Sequence, residues 1–146
     1  RLPHRDERDG HQPRQQAPPH AGSKGPKARS QRGKARKRAG LVRRALDVVG
    51  LEGIDPLREL GAQGSGLSGG QAQRVAIARC LYRAWAVDAG AIVLDEPSSA
   101  LDAASEQRVA EALRAEARAG RAVLLVSHRP ALVDAADRVV RVEAAA

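Results

Sequence analysis

The sequence predicts an α/β protein with parallel strands, and three observations support that prediction. Two short, continuously apolar segments at 91–94 and 122–126 are typical of strands that are buried on both faces of a parallel sheet. An Ala-, Arg- and Glu-rich stretch over 103–119 lies between them and ends at Gly120, a common helix stop. Since strand, helix and strand follow one another, we expect a right-handed crossover between two parallel strands.

The remaining elements follow from the same patterns. Apolar residues at helical spacing predict helices, clusters of Gly, Asp and Pro predict loops, and short apolar runs predict strands. The predicted elements are a helix over 41–49, a loop over 51–66, helices over 69–84 and 130–136, and a third strand over 138–142.

The first 40 residues differ in composition from the rest of the chain. Residues 1–44 contain 14 Lys and Arg and 3 acidic residues, whereas 45–146 contain 11 Arg, no Lys and 14 acidic residues. Residues 1–40 have almost no large apolar side chains, so burial would not offset the entropy lost on ordering. We therefore expect a disordered basic segment over 1–40 and a folded part over 41–146.

Three interpretations of the basic segment stay open. It is a solvated basic tail, sequence that is not native to the domain, or a nucleic-acid-binding arm. No aromatic residue is interleaved with its charges for base stacking, so we expect no nucleic acid partner. The chain begins with Arg1 and not with Met, so we also expect it to be a fragment of a longer protein.

Composition also bears on the compartment and on membrane insertion. Cys80 is the only cysteine, so no internal disulfide is possible and a reducing compartment is expected. No apolar run approaches the roughly 18 residues that span a bilayer, and the N-terminus has no signal-peptide core. If the protein works at a membrane, another segment or subunit would supply the membrane part.

The helix predicted over 69–84 opens with small residues, in the order Leu67, Ser68, Gly69, Gly70, Gln71. Unpaired backbone N–H groups at a helix start, together with the helix dipole, form a site for an anion. The Ser68 hydroxyl adds a donor, and the two glycines let a phosphate approach the backbone closely. The alternative is an ordinary Gly-rich helix start.

Polar residues follow both predicted strands. Asp95 and Glu96 lie at the carboxyl end of the first strand, where ligands bind in open α/β sheets. Two adjacent carboxylates beside a phosphate site suit Mg²⁺ binding and water activation. His128 follows the second strand and is expected to reach the same crevice. The alternatives are an acidic strand-to-loop corner and a structural histidine.

In this order the motifs resemble the ABC ATPase family. Taken alone, 98–102 reads only as a turn and a helix cap. The resemblance covers residues 41–146, and it assigns LSGGQ at 67–71 to the signature loop, AIVLDEP at 91–97 to Walker B with its catalytic glutamate, SSALD at 98–102 to the D-loop, and SH at 127–128 to the H-loop.

The resemblance implies a partial P-loop NTPase-like ABC ATPase domain that uses ATP and Mg²⁺. It also implies a head-to-tail dimer with a second ABC ATPase domain, in which each signature loop contacts the γ-phosphate held by the other subunit. By this resemblance, the γ-phosphate in the partner site is contacted by Ser68, Gly69, Gly70 and Gln71. Asp95 would bind Mg²⁺, Glu96 would act on the hydrolytic water, and His128 would contact the γ-phosphate. Asp102 would lie at the dimer interface and couple the two sites.

The sequences flanking these motifs resemble exporter-type ATPases, most of all the subunits that export cysteine and glutathione for cytochrome bd assembly. That likeness implies ATP hydrolysis that energises transport, a transmembrane domain on the same or another chain, and a position at the cytoplasmic face of the inner membrane. Two alternatives stay open: a soluble ABC-type ATPase acting on DNA or ribosomes, and a non-functional remnant. The transported substrate is not readable from these residues.

One family motif is missing from the sequence. A P-loop reads G-x-x-x-x-G-K-[ST]. The only Gly-Lys pair, Gly33-Lys34, is followed by Ala35, and the position of the first glycine is occupied by Ala28. We therefore expect this chain by itself to be a poor enzyme.

Overall fold

The computed structural model describes residues 26–61 and 65–142. These residues form four helices and two strands, with helix and strand alternating from the second helix onward, which confirms the predicted α/β class. They are α1 Pro26–Val48, α2 Gly69–Val87, β1 Ala91–Asp95, α3 Ala103–Arg118, β2 Ala122–Val126 and α4 Pro130–Val133.

The two strands lie side by side and run parallel, as the strand–helix–strand pattern predicts. Their register pairs Ala91 with Ala122 at one end and Asp95 with Val126 at the other. Helix α3 forms the crossover between them. Both carboxyl ends therefore lie at the same edge of the sheet, and the residues that follow them emerge together.

The core is aliphatic, because the sequence has no Phe or Met and only one Trp and one Tyr. It lies where α1, α2 and α3 pack together and against one face of the sheet. Its largest fully buried side chains are those of Leu81, Leu132, Val49 and Val109. At the amino ends of the strands, Arg121 binds the Glu116 carboxylate at 2.9 Å and the carbonyl of Ala89 at 3.1 Å.

The prediction that both strands are buried on both faces is wrong for the described residues. One face packs on the core through Ile92 and its neighbours. On the other face, Val93, Leu124 and Val126 are 64%, 61% and 54% exposed. An apolar strand sequence permits burial on two sides, but burial also needs a second layer, and no described element covers this face.

The predicted third strand over 138–142 does not form. These residues have no regular secondary structure, and Val139, Val140 and Val142 are all more than half exposed. A strand is defined by the neighbour that takes its backbone hydrogen bonds. Within the described residues the sheet has two strands only, so this apolar run has no partner.

Helix α1 begins at Pro26, much earlier than residue 41, where order was expected to start. The expectation of disorder is therefore wrong for residues 26–40. Lys, Arg, Gln and Ala favour helix without any core contact, and Pro suits the first helical turn. The composition argument does hold for packing over residues 31–40, which are all exposed, and the α1 residues found in the core lie near the end of the helix. The expectation for residues 1–25 lies outside the described part of the chain.

Within the residues that the structure describes, none of the helices combines the length and the apolar character needed to cross a bilayer.

Candidate functional site

Glu96 and His128 meet at the carboxyl edge of the sheet. Glu96 follows β1, and its backbone N–H continues the strand pairing by donating to the carbonyl of Val126 at 2.9 Å. His128 follows β2 by two residues, and its Nδ1 lies 3.0 Å from Glu96 Oε1. The structure thus brings together two residues whose catalytic roles are predicted from sequence.

The contact orients the His128 ring. A proton on Nδ1 donated to the Glu96 carboxylate satisfies the bond, since a carboxylate accepts hydrogen bonds. The other ring nitrogen, Nε2, is then left for a ligand, which it meets as an acceptor in the neutral ring and as a donor when the ring carries both protons. The His128 side chain is 78% exposed, so this nitrogen is accessible from solvent.

The second carboxylate oxygen of Glu96 has a different environment. Glu96 Oε2 is buried and has no hydrogen-bond partner among the described residues. Buried polar atoms are nearly always paired with protein or with an ordered water.

The backbone of Glu96 is strained. Its φ of 44° lies in the left-handed region, where a residue with a Cβ is uncommon. Such conformations persist where surrounding contacts hold them, and they cluster at functional sites. The N–H bond to Val126 and a 2.9 Å bond from Gln73 Nε2 to the Glu96 carbonyl hold this residue from both sides.

Asp95, the predicted magnesium ligand, lies exposed at the last position of β1. Its carboxylate forms no hydrogen bond or ion pair with the described residues, and those residues contain no group of three or more side chains able to hold a metal. Mg²⁺ is usually bound by one or two carboxylates together with substrate phosphates and water. A free, exposed carboxylate therefore fits a magnesium ion that is shared with a phosphate.

The signature residues start α2 with a reciprocal cap. The Ser68 hydroxyl oxygen accepts from the Gln71 backbone N–H at 3.2 Å, and Gln71 Oε1 accepts from the Ser68 N–H at 3.0 Å. This capping box leaves the amides of Gly69 and Gly70 without a partner among the described residues. Both amides are therefore available to an anion.

The two glycines differ in their surroundings. A Cβ at Gly69 would meet no atom of the described residues within 4 Å, whereas a Cβ at Gly70 would lie 3.1 Å from the carbonyl oxygen of Ala100. Gly69 thus faces open space, and Gly70 allows the 98–102 loop to pack closely on α2. A side chain at Gly69 would therefore project into the space from which a ligand approaches the two amides.

Asp102 caps α3. Its carboxylate accepts from the Ser105 backbone N–H at 2.7 Å, and the residue is exposed. That hydrogen bond holds the pKa of Asp102 below its ordinary value of 3.8. The structure shows the capping role, and the predicted role at a dimer interface stays a prediction.

Two residues at the site were missed by the sequence reasoning. The Gln73 side chain contacts Glu96, Ser99 and Ala100. Arg129 Nη2 donates to the carbonyls of Ser98 and Leu101, both at 3.1 Å. Each residue follows a recognised motif residue by one or two positions, and this proximity was the only indication in the sequence. The groups that each residue binds are distant in sequence and are brought close only by the fold.

Comparison with known proteins identifies the family. Residues 5–99, well over half of the chain, match the family described as ABC transporter. The chain belongs to this family, so that part of the sequence interpretation is confirmed.

The similar curated proteins are called ATP-dependent lipid A-core flippases. The chain is 44% identical over 110 residues to that of Ralstonia nicotianae, covering 70% of this chain and 17% of the relative. It is 46% identical over 93 residues to that of Alkalilimnicola ehrlichii, covering 64% and 15%. The chain thus spans about one sixth of the length of these relatives. Their name is not that of the cysteine and glutathione exporter which the flanking sequences resemble.

Among solved structures, a dimeric ATP-binding cassette in a post-hydrolysis state with ADP and Pi is 28% identical, with a TM-score of 0.44. The match covers 80% of this chain and 42% of that chain.

The depressed pKa of Asp102 predicts a pH-dependent contribution to stability. Because the folded-state pKa lies below the unfolded value, the capping bond stabilises the fold above about pH 3.8 and is lost as the pH falls through the folded value. We expect Asp102→Ala to lower the melting temperature at pH 7, and the difference from wild type to shrink below pH 3.8. Asp102→Asn keeps a capping oxygen and is the matched control. Melting curves that differ equally at pH 7 and pH 2.5 would contradict this account.

Proposed function

We propose that the chain supplies the signature, Walker B, D-loop and H-loop part of the ATPase domain of an ABC exporter, in which ATP hydrolysis energises transport. The observation that carries the proposal is the 3.0 Å contact between His128 and Glu96 at the carboxyl edge of the sheet. Membership of the ABC transporter family supports this proposal, because a carboxylate and a histidine in contact at this edge are then expected to act on the phosphates of ATP.

The names of the relatives support an exporter. They are lipid A-core flippases, and the flanking motifs resemble a different exporter, that of cysteine and glutathione. The two likenesses agree on export and differ on cargo. Between the two, the relatives favour an amphiphilic lipid as the transported molecule. The proposal includes a transmembrane domain, on the same or a separate chain, and a position at the cytoplasmic face of the inner membrane.

The proposed chemistry divides among three side chains. Glu96 orients the attacking water and accepts its proton. His128 contacts the γ-phosphate by donating from Nε2, in an imidazole that carries both protons and whose Nδ1–H stays bonded to Glu96. Asp95 would hold Mg²⁺ jointly with the phosphates, and the ion would supply charge neutralisation for the transferred group.

The signature residues are proposed to act on ATP bound by a second ABC ATPase domain in a head-to-tail dimer. Support comes from the two amides at the start of α2 that have no partner among the described residues, and from the open space beside Gly69. Ser68 and Gln71 shape this site by capping the helix. Asp102 is proposed to lie at the interface between the two domains.

The isolated chain is predicted to bind ATP weakly and not to hydrolyse it. Its sequence contains no G-x-x-x-x-G-K-[ST] motif, and the P-loop lysine and amides provide much of the charge stabilisation for phosphoryl transfer. Asp95 and Glu96 alone place negative charge beside a polyanion. Isothermal titration calorimetry with ATP and Mg²⁺ tests this prediction, and saturable binding at micromolar ATP would contradict it.

The second prediction concerns the signature loop. Mixed with an intact ABC ATPase domain and ATP, the chain should associate in an ATP-dependent way, and Gly69→Asp should weaken that association by about tenfold or more, because its carboxylate would face the γ-phosphate. Gly69→Asn, which introduces a neutral side chain of nearly the same size, is the matched control. Analytical ultracentrifugation gives the dissociation constants, and equal values for the Asp variant and wild type would remove the signature role.

The third prediction places Glu96 in catalysis. A chimera is made from the Ralstonia nicotianae flippase by replacing its matching segment with residues 41–142 of this chain. Glu96→Gln in the chimera should reduce kcat by about 100-fold or more while ATP stays bound, because the amide fits the site but does not accept the proton. The expected product is a stable ATP-dependent dimer with little phosphate release.

His128→Ala in the same chimera should also slow hydrolysis, because it removes the group proposed to contact the γ-phosphate. Exposed Arg118 lies away from this edge, at the end of α3, and Arg118→Ala serves as the control. Phosphate release measured at saturating ATP compares the variants.

If Glu96→Gln hydrolyses ATP at close to the wild-type rate, Glu96 is not the catalytic carboxylate. Asp95 and Glu96 would then have only a structural role at the end of β1.

A further inference from the structure

We propose that Gln73 is a positioning residue for the catalytic corner, which ties the signature helix α2 to Glu96 and to the loop over 98–102. This inference rests on the proposed function, since it concerns how the same site is held. It is carried by a set of hydrogen bonds that none of the four motifs accounts for.

The Gln73 side chain uses both ends of its amide across three elements. Its Nε2 donates to the Glu96 carbonyl at 2.9 Å and to the Ser99 hydroxyl at 3.0 Å. Its Oε1 accepts from the Ala100 backbone N–H at 2.7 Å. Both N–H groups are therefore paired, and the orientation of the amide is fixed because the Ala100 N–H requires an acceptor.

The contact with Glu96 falls at the strained residue of the site. The left-handed φ of 44° needs surrounding contacts to hold it, and Gln73 binds the carbonyl of this residue. Since the Glu96 carboxylate is bonded to His128, a change in the Glu96 backbone would move the carboxylate relative to the imidazole. Small displacements of a reacting group cost a large fraction of the rate.

The contact with Ala100 connects the 98–102 loop to the signature helix α2 through Gln73. Gln73 lies one turn beyond Gly69 on α2, and the Ala100 carbonyl packs against Gly70. A displacement of α2 on phosphate binding would therefore be transmitted through one rigid amide to Ala100 and to Glu96. No other described side chain joins the signature helix to both.

A second side chain, from the segment after β2, binds the same loop. Arg129 donates to the carbonyls of Ser98 and Leu101, and it lies 3.6 Å from the Glu106 carboxylate. Loss of Gln73 would thus free the middle of the loop while both of its ends stay bound. We expect a local change at Ala100 and Glu96, without loss of the fold.

Two substitutions of Gln73 distinguish its bond to Ala100 from its bonds to Glu96 and Ser99. Gln73→Ala removes all three bonds. Gln73→Glu keeps an acceptor for the Ala100 N–H but places a carboxylate against the Glu96 carbonyl, where a donor is required. Gln107, exposed on α3 and without side-chain hydrogen bonds to the described residues, gives the matched control Gln107→Ala.

Amide hydrogen exchange on the complete 146-residue chain reports the positioning directly. The Ala100 amide should exchange about tenfold faster in Gln73→Ala and stay close to wild type in Gln73→Glu and Gln107→Ala. Amides in the core of α3 and the midpoint of urea unfolding should be the same in all four proteins. An unchanged Ala100 rate in Gln73→Ala overturns the proposal, and so does a general loss of protection.

Turnover in the flippase chimera reports the consequence for catalysis. Gln73→Ala and Gln73→Glu should both lower kcat by about tenfold or more with the KM for ATP unchanged, since Glu96 is misplaced and ATP binding is not. Equal kcat in these variants and in Gln107→Ala overturns the proposal. If the unsubstituted chimera does not hydrolyse ATP, the proposed function is wrong, and Ala100 exchange still decides whether Gln73 positions the loop.

Discussion

The parallel pairing of β1 with β2 is the interaction on which the candidate site depends. The register that joins Asp95 to Val126 is continued by the bond from the Glu96 N–H to the Val126 carbonyl. His128 therefore emerges beside Glu96, although 32 positions separate the two along the chain. A shift of register by one residue would move the side chains of one strand to the opposite face of the sheet and separate the pair. The same pairing keeps Ile92 and its neighbours against the helices.

A loop between β1 and α3 is held by side chains from two other parts of the chain. Gln73 reaches it from α2, and Arg129 reaches it from the segment after β2. The loop begins at the strained Glu96 and ends at the α3 cap, Asp102. The predicted catalytic and interface residues thus lie at the two ends of one short segment whose middle is fixed by hydrogen bonds to its backbone.

Sequence periodicity located the packed helices and both strands, because those signals are local. It failed where an element depends on a neighbour. The run over 138–142 has the composition of a strand but no strand beside it, and Val93 and Leu124 belong to apolar strands yet face solvent. It also failed at 26–40, where α1 extends beyond its packed end.

What the sequence determined by itself was the order and spacing of the motif residues and hence the family, since residue identity and separation are properties of the chain. The residues around Ser68, Glu96 and His128 were recognisable for that reason. Only the tertiary structure decided that Glu96 lies in the left-handed region, that its Oε2 is buried without a described partner, and that Gly69 is open while Gly70 is packed. Each of these depends on atoms brought together from distant positions. Gln73 illustrates the difference, because a glutamine on a helix is unremarkable in sequence and becomes a three-way contact only when α2 lies against the end of β1.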